Sequence, residues 1–538
     1  MRKQIIHFSL FTFIFLLTAC QFEDDQDCPK EEHFSSSYIN LTIAVSDGQG
    51  RTRANEPLAG EDGNGREAGF ERENAVTGVT LILYKDATGI NTTTTNPTLD
   101  FVRYFPVKRV TTTAQGTAYA PGTGEELEEQ ENEIHISQIE ATYTTGPQLL
   151  GKESALKINL SDKYHAIVVA NYDLTTGNQK LTEGTSKLSN VRDMTLSTIA
   201  SGSMTDLAYT FGNFVMSSEE DNTIDFGATN TKKTLAGTAW TENDRGQDVL
   251  YDLTAQPLII ERMAARIDFW AKGATYQTKN NGGNGNEYNF PGYVYRPWKT
   301  TDTESTGPTS SDRFVLTRIT PFNLNNSSSY LLKQLSDGRL KPETGSNYVI
   351  DPTTANKANA TFLSPLSAIV SGLANWYGNG YSHFVADMHA QVGNGLTGGF
   401  SYTSGGSTAE DIIICYPKEN TLPDGSSLYN YATGIMIEGD YYTGDDVSDL
   451  SKCEHRFYFT YIRHQGESDK AYDALLPSEL DATVTTSSTY PMNFGIVRNN
   501  IYRISIDKVI EKTLDAPRLK IKIEETKWRH VDNPTIYI

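Results

Sequence analysis

The chain reads as an all-β protein with minor helix, built as two β-sandwiches that carry long loops. Three observations predict this. Segments alternating at period two recur along the chain and are rich in Val, Ile, Thr, Tyr and Phe. Long polar connectors, heavy in Gly, Asn and Glu, separate them. A helical period is weak and confined to 127–140 and 257–268. The 538 residues allow roughly two to four domains of about 100–200 residues each.

The first predicted strand is YINLTIAV (38–45), with Ile39, Leu41, Ile43 and Val45 on one face and Asn40 and Thr42 on the other. Further strands are predicted at VTGVTLILY (76–84), ALKINLSDKYHAIVVANY (155–172), RFVLTRI (313–319), DIIICY (411–416), TGIMIEGDYY (433–442), RFYFTYIRH (456–464) and NFGIVRNNIYRISI (493–506). The last is RLKIKIEE (518–525), where Leu519, Ile521 and Ile523 oppose Lys520, Lys522 and Glu524. The two end strands each need an apolar groove on one side and tolerate water on the other. They are either two unrelated edge strands or alternative occupants of one edge position. GTGEELEEQENE (122–133), TKNNGGNGNEYN (278–289) and SYTSGGSTAE (401–410) read as connectors. A domain boundary falls near Arg262, where an apolar strand breaks into a short helical patch in PLIIERMAARID (257–268). No internal repeat is visible.

Composition excludes several function classes. Lys and Arg number 46 against 67 Asp and Glu, a net charge of −21. Phosphate recognition needs the opposite surplus, so nucleic acid is not a partner. Four cysteines are too few for a disulfide scaffold. Cys28 lies in a presumed tether, while Cys415 and Cys453 fall on predicted strands and could pair in an oxidising compartment. No CxxC, HExxH or Cys/His cluster occurs, so no metal and no cofactor is expected. The nine histidines are scattered and no GxSxG elbow is present, so the chain does not read as an enzyme. Asp445 and Asp446 read as a solvated or weakly cation-binding turn.

The N-terminus has the form of an export signal. Arg2 and Lys3 precede an apolar run from Ile5 to Leu17, too short to span a bilayer comfortably. The run ends in Leu17-Thr18-Ala19-Cys20, which resembles a bacterial lipobox. Cleavage before Cys20 would leave an acylated cysteine, with palmitate among the expected chains, as a stable outer-membrane anchor. The acidic run Glu23, Asp24, Asp25 resembles the surface-export signal of lipoproteins in Bacteroides-like bacteria. Downstream of the first strand, the polar linker 46–74 carries Arg51, Arg53, Arg66 and Arg72. It is a solvated loop with incidental arginines or a site for proteolytic nicking. Arg51 and Arg53 are the candidate cleavage residues, because they follow the turn SDGQG directly after the first strand. Arg66 and Arg72 approach the next strand, where backbone enters a protease less readily.

Several segments, in their order, resemble the fimbrillins, the type V pilins of Bacteroidia, and most closely the major subunit of short fimbriae. NAVTGVTLILYKD (74–86) is similar to the first mature strand of that family, and YHAIVVANYD (164–173) to a strand and turn of its N-terminal domain. LIIERMAARIDFWA (258–271) resembles the stretch at its domain junction. CYPKENT (415–421), YATGIMIEGDYY (431–442) and FGIVRNNIYRISI (494–506) resemble its C-terminal domain. LKIKIEETKWRHVDNPTIYI (519–538), with Trp528, resembles its terminal pair of strands.

The resemblance implies two transthyretin-like β-sandwich domains and a C-terminal donor-strand segment. It divides the chain into a signal peptide (1–19), a lipidated propeptide with a removable first strand (20–53), an N-terminal domain (54–261), a C-terminal domain (262–516) and donor strands (517–538). An arginine- or trypsin-like protease would cut the linker, and the lipidated piece would leave with Ile39, Leu41, Ile43 and Val45. A neighbour's strand bearing Leu519, Ile521, Ile523 and Trp528 would then enter the groove. The partners so implied are other fimbrial subunits, in a homopolymer with accessory and anchor subunits. The mature form would belong to extracellular fimbriae that support adhesion. A candidate cleavage loop and candidate donor strands in one chain favour a shaft-forming subunit over a tip or anchor. The chain exceeds the simplest fimbrillins through its polar loops.

A binding module is the alternative: a surface lipoprotein holding glycans for nutrient uptake. Trp376, Tyr377 and Tyr381 in NWYGNGYSHF (375–384) could stack on sugar rings or pack under loops. Survival of the lipidated N-terminus in the mature protein would favour this reading.

Overall fold

A computed structural model of the chain describes residues 37–45, 66–68, 76–85, 96–106, 133–141, 163–200, 213–218, 222–234, 236–244, 247, 249–253, 258–271, 273–277, 292–336, 348–373, 386–387, 400–404, 407–447, 453–464, 470–486, 493–512 and 517–529. The protein is all-β. Its principal strands are β1 (Ser37–Val45), β2 (Arg66–Ala68), β3 (Gly78–Tyr84), β4 (Phe101–Pro106), β5 (Glu133–Ala141), β6 (Lys163–Ala170), β7 (Met216–Ser218), β8 (Val249–Asp252), β9 (Leu258–Arg262), β10 (Arg266–Trp270), β11 (Arg313–Phe322), β12 (Ser407–Cys415), β13 (Gly434–Tyr442), β14 (Cys453–Tyr461), β15 (Asn500–Ile510) and β16 (Arg518–Arg529). Among the described residues, helix is limited to short pieces such as Leu188–Arg192 and Leu366–Gly372.

With β2 excepted, the strands up to β9, together with Asn222–Asp225 and Lys232–Lys233, form one ten-stranded sheet. β3 lies between β4 and β6, antiparallel to both, and β7 links β6 to β9. β3 is buried along its whole length, as an inner strand covered on both faces should be. In the second half, β10 runs between β12 and β15, and β16 follows on the far side of β15. A separate sheet carries β11, β13 and β14 in sequence. The two second-half sheets share one core, in which Ile267 and Phe269 of β10, Ile504 of β15 and Ile521 of β16 meet Phe314, Ile437 and Tyr458. That is a β-sandwich.

Core membership changes between Ala264 and Ala265. Buried apolar residues up to Ala264 pack in the first core; those from Ala265 on pack mostly in the second or in two smaller clusters around Phe322 and Val349, with Leu331, Leu332, Tyr416 and Ile501 crossing back into the first. Ser329–Tyr330 also pairs with Thr195–Leu196 of the first half.

Several local expectations are corrected. Residues 133–141, which overlap the predicted helical stretch 127–140, are β5. The odd interval between Ile136 and Ile139 breaks strict alternation, and a β-bulge opposite Ile39 and Leu41 absorbs it. The patch at 257–268 is two strands, β9 and β10, joined by the buried Met263, Ala264 and Ala265. Its charged residues imitate a polar helical face by spacing, yet Glu261, Arg262, Arg266 and Asp268 are all buried. The connector 401–410 instead supplies strand Phe400–Ser404 and the start of β12, with Ser404 opposite Ser407 as in a tight hairpin. Cys415 is free and buried in the second core, and Cys453 begins β14 in the other sheet, so the two do not pair.

Candidate functional site

The predicted removable strand is β1, and it is an inner strand rather than an edge. Along one side it runs parallel to β8, from Ser37 opposite Val249 to Asn40 opposite Asp252, and then to β9, from Ile43 opposite Leu258 to Val45 opposite Ile260. Along the other side it runs antiparallel to β5, from Ser37 opposite Ala141 to Ala44 opposite Glu133. The register sets Ile39 opposite Tyr251 and Ile139, and Leu41 opposite Ile136. Val249, Tyr251, Leu258 and Ile260 are buried, so β1 lies against a strand whose alternate residues line the first core. Without β1, one strand-wide slot would separate β5 from β8 and β9, with both facing edges unpaired.

The predicted donor segment is placed in a different sheet. β16 pairs with β15 over nearly its whole length. Its other edge holds Ala471–Asp473 near Ile521 and β2 near Trp528, where Arg66 faces Lys527 and Glu67 faces Trp528. Leu519, Ile521 and Ile523 are buried in the subunit's own second core. The two end strands therefore occupy two positions and not one. Arg66 lies within β2, while Cys20, Arg51, Arg53 and Arg72 fall outside the described residues. Trp376, Tyr377 and Tyr381 fall outside them as well.

Between the halves sits a buried polar junction that brings together two segments read separately in the sequence, 258–271 and 494–506. Arg262 donates to the Asn499 side chain at 3.1 Å, and Asn499 takes a left-handed φ of 57°, which Asn adopts more readily than most residues. Arg266 holds Asp268 in a fork, Nε at 2.9 and 3.0 Å and Nη2 at 2.6 Å, with both side chains fully buried. Arg498 donates to Glu419 at 2.7 Å and to the carbonyls of Tyr330 and Leu331 at 2.6 and 3.0 Å. Lys333 pairs with Glu261 at 2.9 Å. Lys418 donates to the Ser197 and Ser327 carbonyls at 2.6 and 2.8 Å, and burial brings its ammonium down to about 8. Sequence reasoning missed Lys418, Glu419 and Lys333. KENT (418–421) is polar throughout, yet all four residues are buried. The only signal was a cluster of charges flanked by apolar residues.

On the sandwich, Asp440 and His455 are directly opposed across β13 and β14. The imidazole bonds Asp440 through Nδ1 and Glu438 through Nε2, the latter at 2.7 Å. Burial disfavours the imidazolium, but the two carboxylates outweigh it and raise His455 to about 9. Among the described residues, no group of three or more His, Cys, Asp or Glu could hold a metal ion. No helix among them is long and apolar enough to cross a membrane.

No protein-family model matches the chain, and no curated protein matches it in sequence. Solved structures similar to it include a proposed cell adhesion protein from Parabacteroides distasonis, 13% identical with a TM-score of 0.35 over 92% of this chain and 98% of that one. The tip fimbrial protein Mfa3 from Porphyromonas gingivalis is 10% identical at 0.34, over 92% and 100%. A fimbrilin, FimA, from Porphyromonas gingivalis W83 is 11% identical at 0.34, over 92% and 99%.

Proposed function

We propose that the chain is a structural subunit of cell-surface fimbriae, made as a lipoprotein precursor and polymerised by strand exchange in support of adhesion. The observation that carries this reading is the position of β1. β1 is an inner strand of the first sheet, and the linker that follows it in the chain bears Arg51 and Arg53. In this reading Cys20 carries the lipid, and an arginine- or trypsin-like protease cuts at Arg51 or Arg53. The lipidated piece then leaves with β1. A strand from the next subunit enters the slot, parallel to β8 and β9 and antiparallel to β5. Burying three or four aliphatic side chains there contributes about 5–12 kcal/mol gross. Successive head-to-tail contacts of this kind extend into a filament.

The burial of Leu519, Ile521 and Ile523 bears on which residues act as donor. Withdrawing β16 would open the second core and leave one edge of β15 unpaired. Within the donor region 517–538, we therefore assign the exchanged strand to 530–538, which carries Val531, Ile536, Tyr537 and Ile538. β16 acts as the base from which it extends.

Mass spectrometry of the protein recovered from surface filaments tests the reading. A mature N-terminus just after Arg51 or Arg53 is expected. Replacing both arginines by Ala should retain residues 20–53 and abolish polymer ladders. Normal ladders from a variant that keeps β1 would overturn strand exchange, while a cut moved to Arg66 or Arg72 with normal ladders would overturn only the choice of site.

A further inference from the structure

Away from the slot and the junction, one buried cluster places a nucleophile against an electrophile. Lys357 lies in the short turn Lys357–Asn359 and Asn420 in the segment after β12. The Lys357 side chain is 4% exposed and that of Asp351 is fully buried. Nζ of Lys357 donates to Asp351 Oδ2 at 2.6 Å and to the carboxamide oxygen of Asn420 at 3.0 Å, with Thr353 Oγ1 at 3.2 Å. The Asn420 Nδ2 donates to the Tyr431 carbonyl at 2.7 Å and to Thr433 Oγ1 at 3.0 Å. Asp351 also accepts from the backbone N–H groups of Thr353 and Thr421, both at 2.8 Å. Asn420, Thr421 and Thr433 are fully buried, so bulk water is kept from the carboxamide.

An ion pair with Asp351 accounts for one contact of the ammonium. The other two N–H groups go to Thr353 and to the side-chain amide of Asn420, which holds that carboxamide at the same nitrogen across 63 residues of sequence. We propose that Lys357 and Asn420 are a modification site at which an intramolecular amide bond forms between Nζ and Cγ, with Asp351 as the proton-transfer group.

The step balances without an external reagent. The Asp351 carboxylate takes a proton from the Lys357 ammonium and frees the amine lone pair. The amine attacks Cγ of Asn420, and the carbonyl π electrons move to Oδ1. A proton from the attacking nitrogen passes by way of Asp351 to Nδ2, the Cγ–Nδ2 bond breaks, and the carbonyl re-forms. Ammonia departs with the remaining proton as ammonium, and Asp351 returns to the carboxylate. No atom is oxidised or reduced. Three features of the site favour the reaction. Burial lowers the Lys357 ammonium against the opposing pull of Asp351, which brings the amine within reach. The Lys357 and Thr donors outweigh burial and keep Asp351 ionised, so the site starts with the carboxylate that the first step needs. Fixed placement replaces a bimolecular encounter.

The experiment is peptide mapping of the folded, purified full chain, together with its intact mass. The expected result is a mass lower by one ammonia, about 17 Da, with Lys357 resistant to trypsin and joined to the peptide containing Asn420. A cyclic imide at Asn420–Thr421 would lose the same mass but leave the two peptides separate, and that outcome overturns the proposal. So does a wild-type map with both peptides separate and unmodified, which would make the cluster an ion pair only. Lys357→Arg should lose the joined peptide, and Asp351→Asn should leave both reactants unjoined. A full yield of joined peptide from Asp351→Asn would overturn the role of Asp351. Because the wild-type map decides on its own, misfolding of a variant does not rescue the idea. The result is also independent of filament formation.

Discussion

Arg498 and Glu419 form an ion pair with no water-exposed side-chain surface. A buried pair contributes little over an apolar pair, but removing one partner strands a charge in low dielectric. Arg498→Met should therefore lower the unfolding free energy by about 3–5 kcal/mol in urea titrations. Adding Glu419→Met should recover part of it. The recovery stays incomplete because the carbonyls of Tyr330 and Leu331 also lose their donor. His455 gives a second residue-scale prediction. Its folded value of about 9 lies above the ordinary 6.5, so its stabilisation is complete below about pH 6.5 and is lost as pH rises through 9. Tm should fall across that window, and His455→Gln should flatten the fall. Neither site was legible in the sequence. Glu438 and Asp440 are two apart on one strand and His455 is distant, and only strand register brings them together. KENT likewise looks solvated because its partners Arg498 and Lys357 lie 60 or more residues away in the chain.

The strands themselves were largely legible, because alternation is a local property. β3, β6, β11, β13, β14 and β15 each fall within or across a predicted period-two segment. The misread elements are those in which another constraint hides the period: a bulge in β5 and buried ion pairs across β9 and β10. Alternation in RLKIKIEE marked the core face of β16 correctly, but pattern alone says nothing about which sheet receives that face. The consequence for mutation is direct. From the sequence, Ile521→Asp is expected to block assembly and spare the monomer. With Ile521 fully buried in the second core, a carboxylate there should destabilise the monomer itself by several kcal/mol, about 3 or more. Removing 517–538 should likewise collapse the sandwich, whereas removing 530–538 should leave a monomer of unchanged Tm that makes no ladders. Differential scanning calorimetry alongside gel ladders separates the two deletions, and an unchanged Tm on losing 517–538 would contradict the packing of β16.

At the scale of the whole molecule, the two halves are coupled through their cores. Leu331, Leu332, Tyr416 and Ile501 come from the second half and complete the first core, and Arg498 is bonded to the backbone that carries Leu331. A sequence boundary near Arg262 suggests two units that could be separated, yet a fragment ending at Glu261 would lack those four side chains, Arg262 itself and the Lys333 partner of Glu261. Each missing large aliphatic contact weakens a core by about 2–5 kcal/mol, comparable in sum with the whole stability of a domain at about 5–15 kcal/mol. The fragment 54–261 should accordingly show no cooperative melt, while the full chain from 54 onward should unfold in a single transition. Leu332→Ala should lower that one transition and raise hydrogen exchange in both β3 and β15, although it removes carbon from the first core alone. Two resolved transitions, or a fragment that melts at the full-chain Tm, would contradict the coupling. The coupling also suits a filament in which the slot lies in the first sheet and the exchanged strand extends from the second. Tension would then have to cross the junction in every subunit, and it would meet buried ion pairs and interlocked cores there rather than a flexible linker.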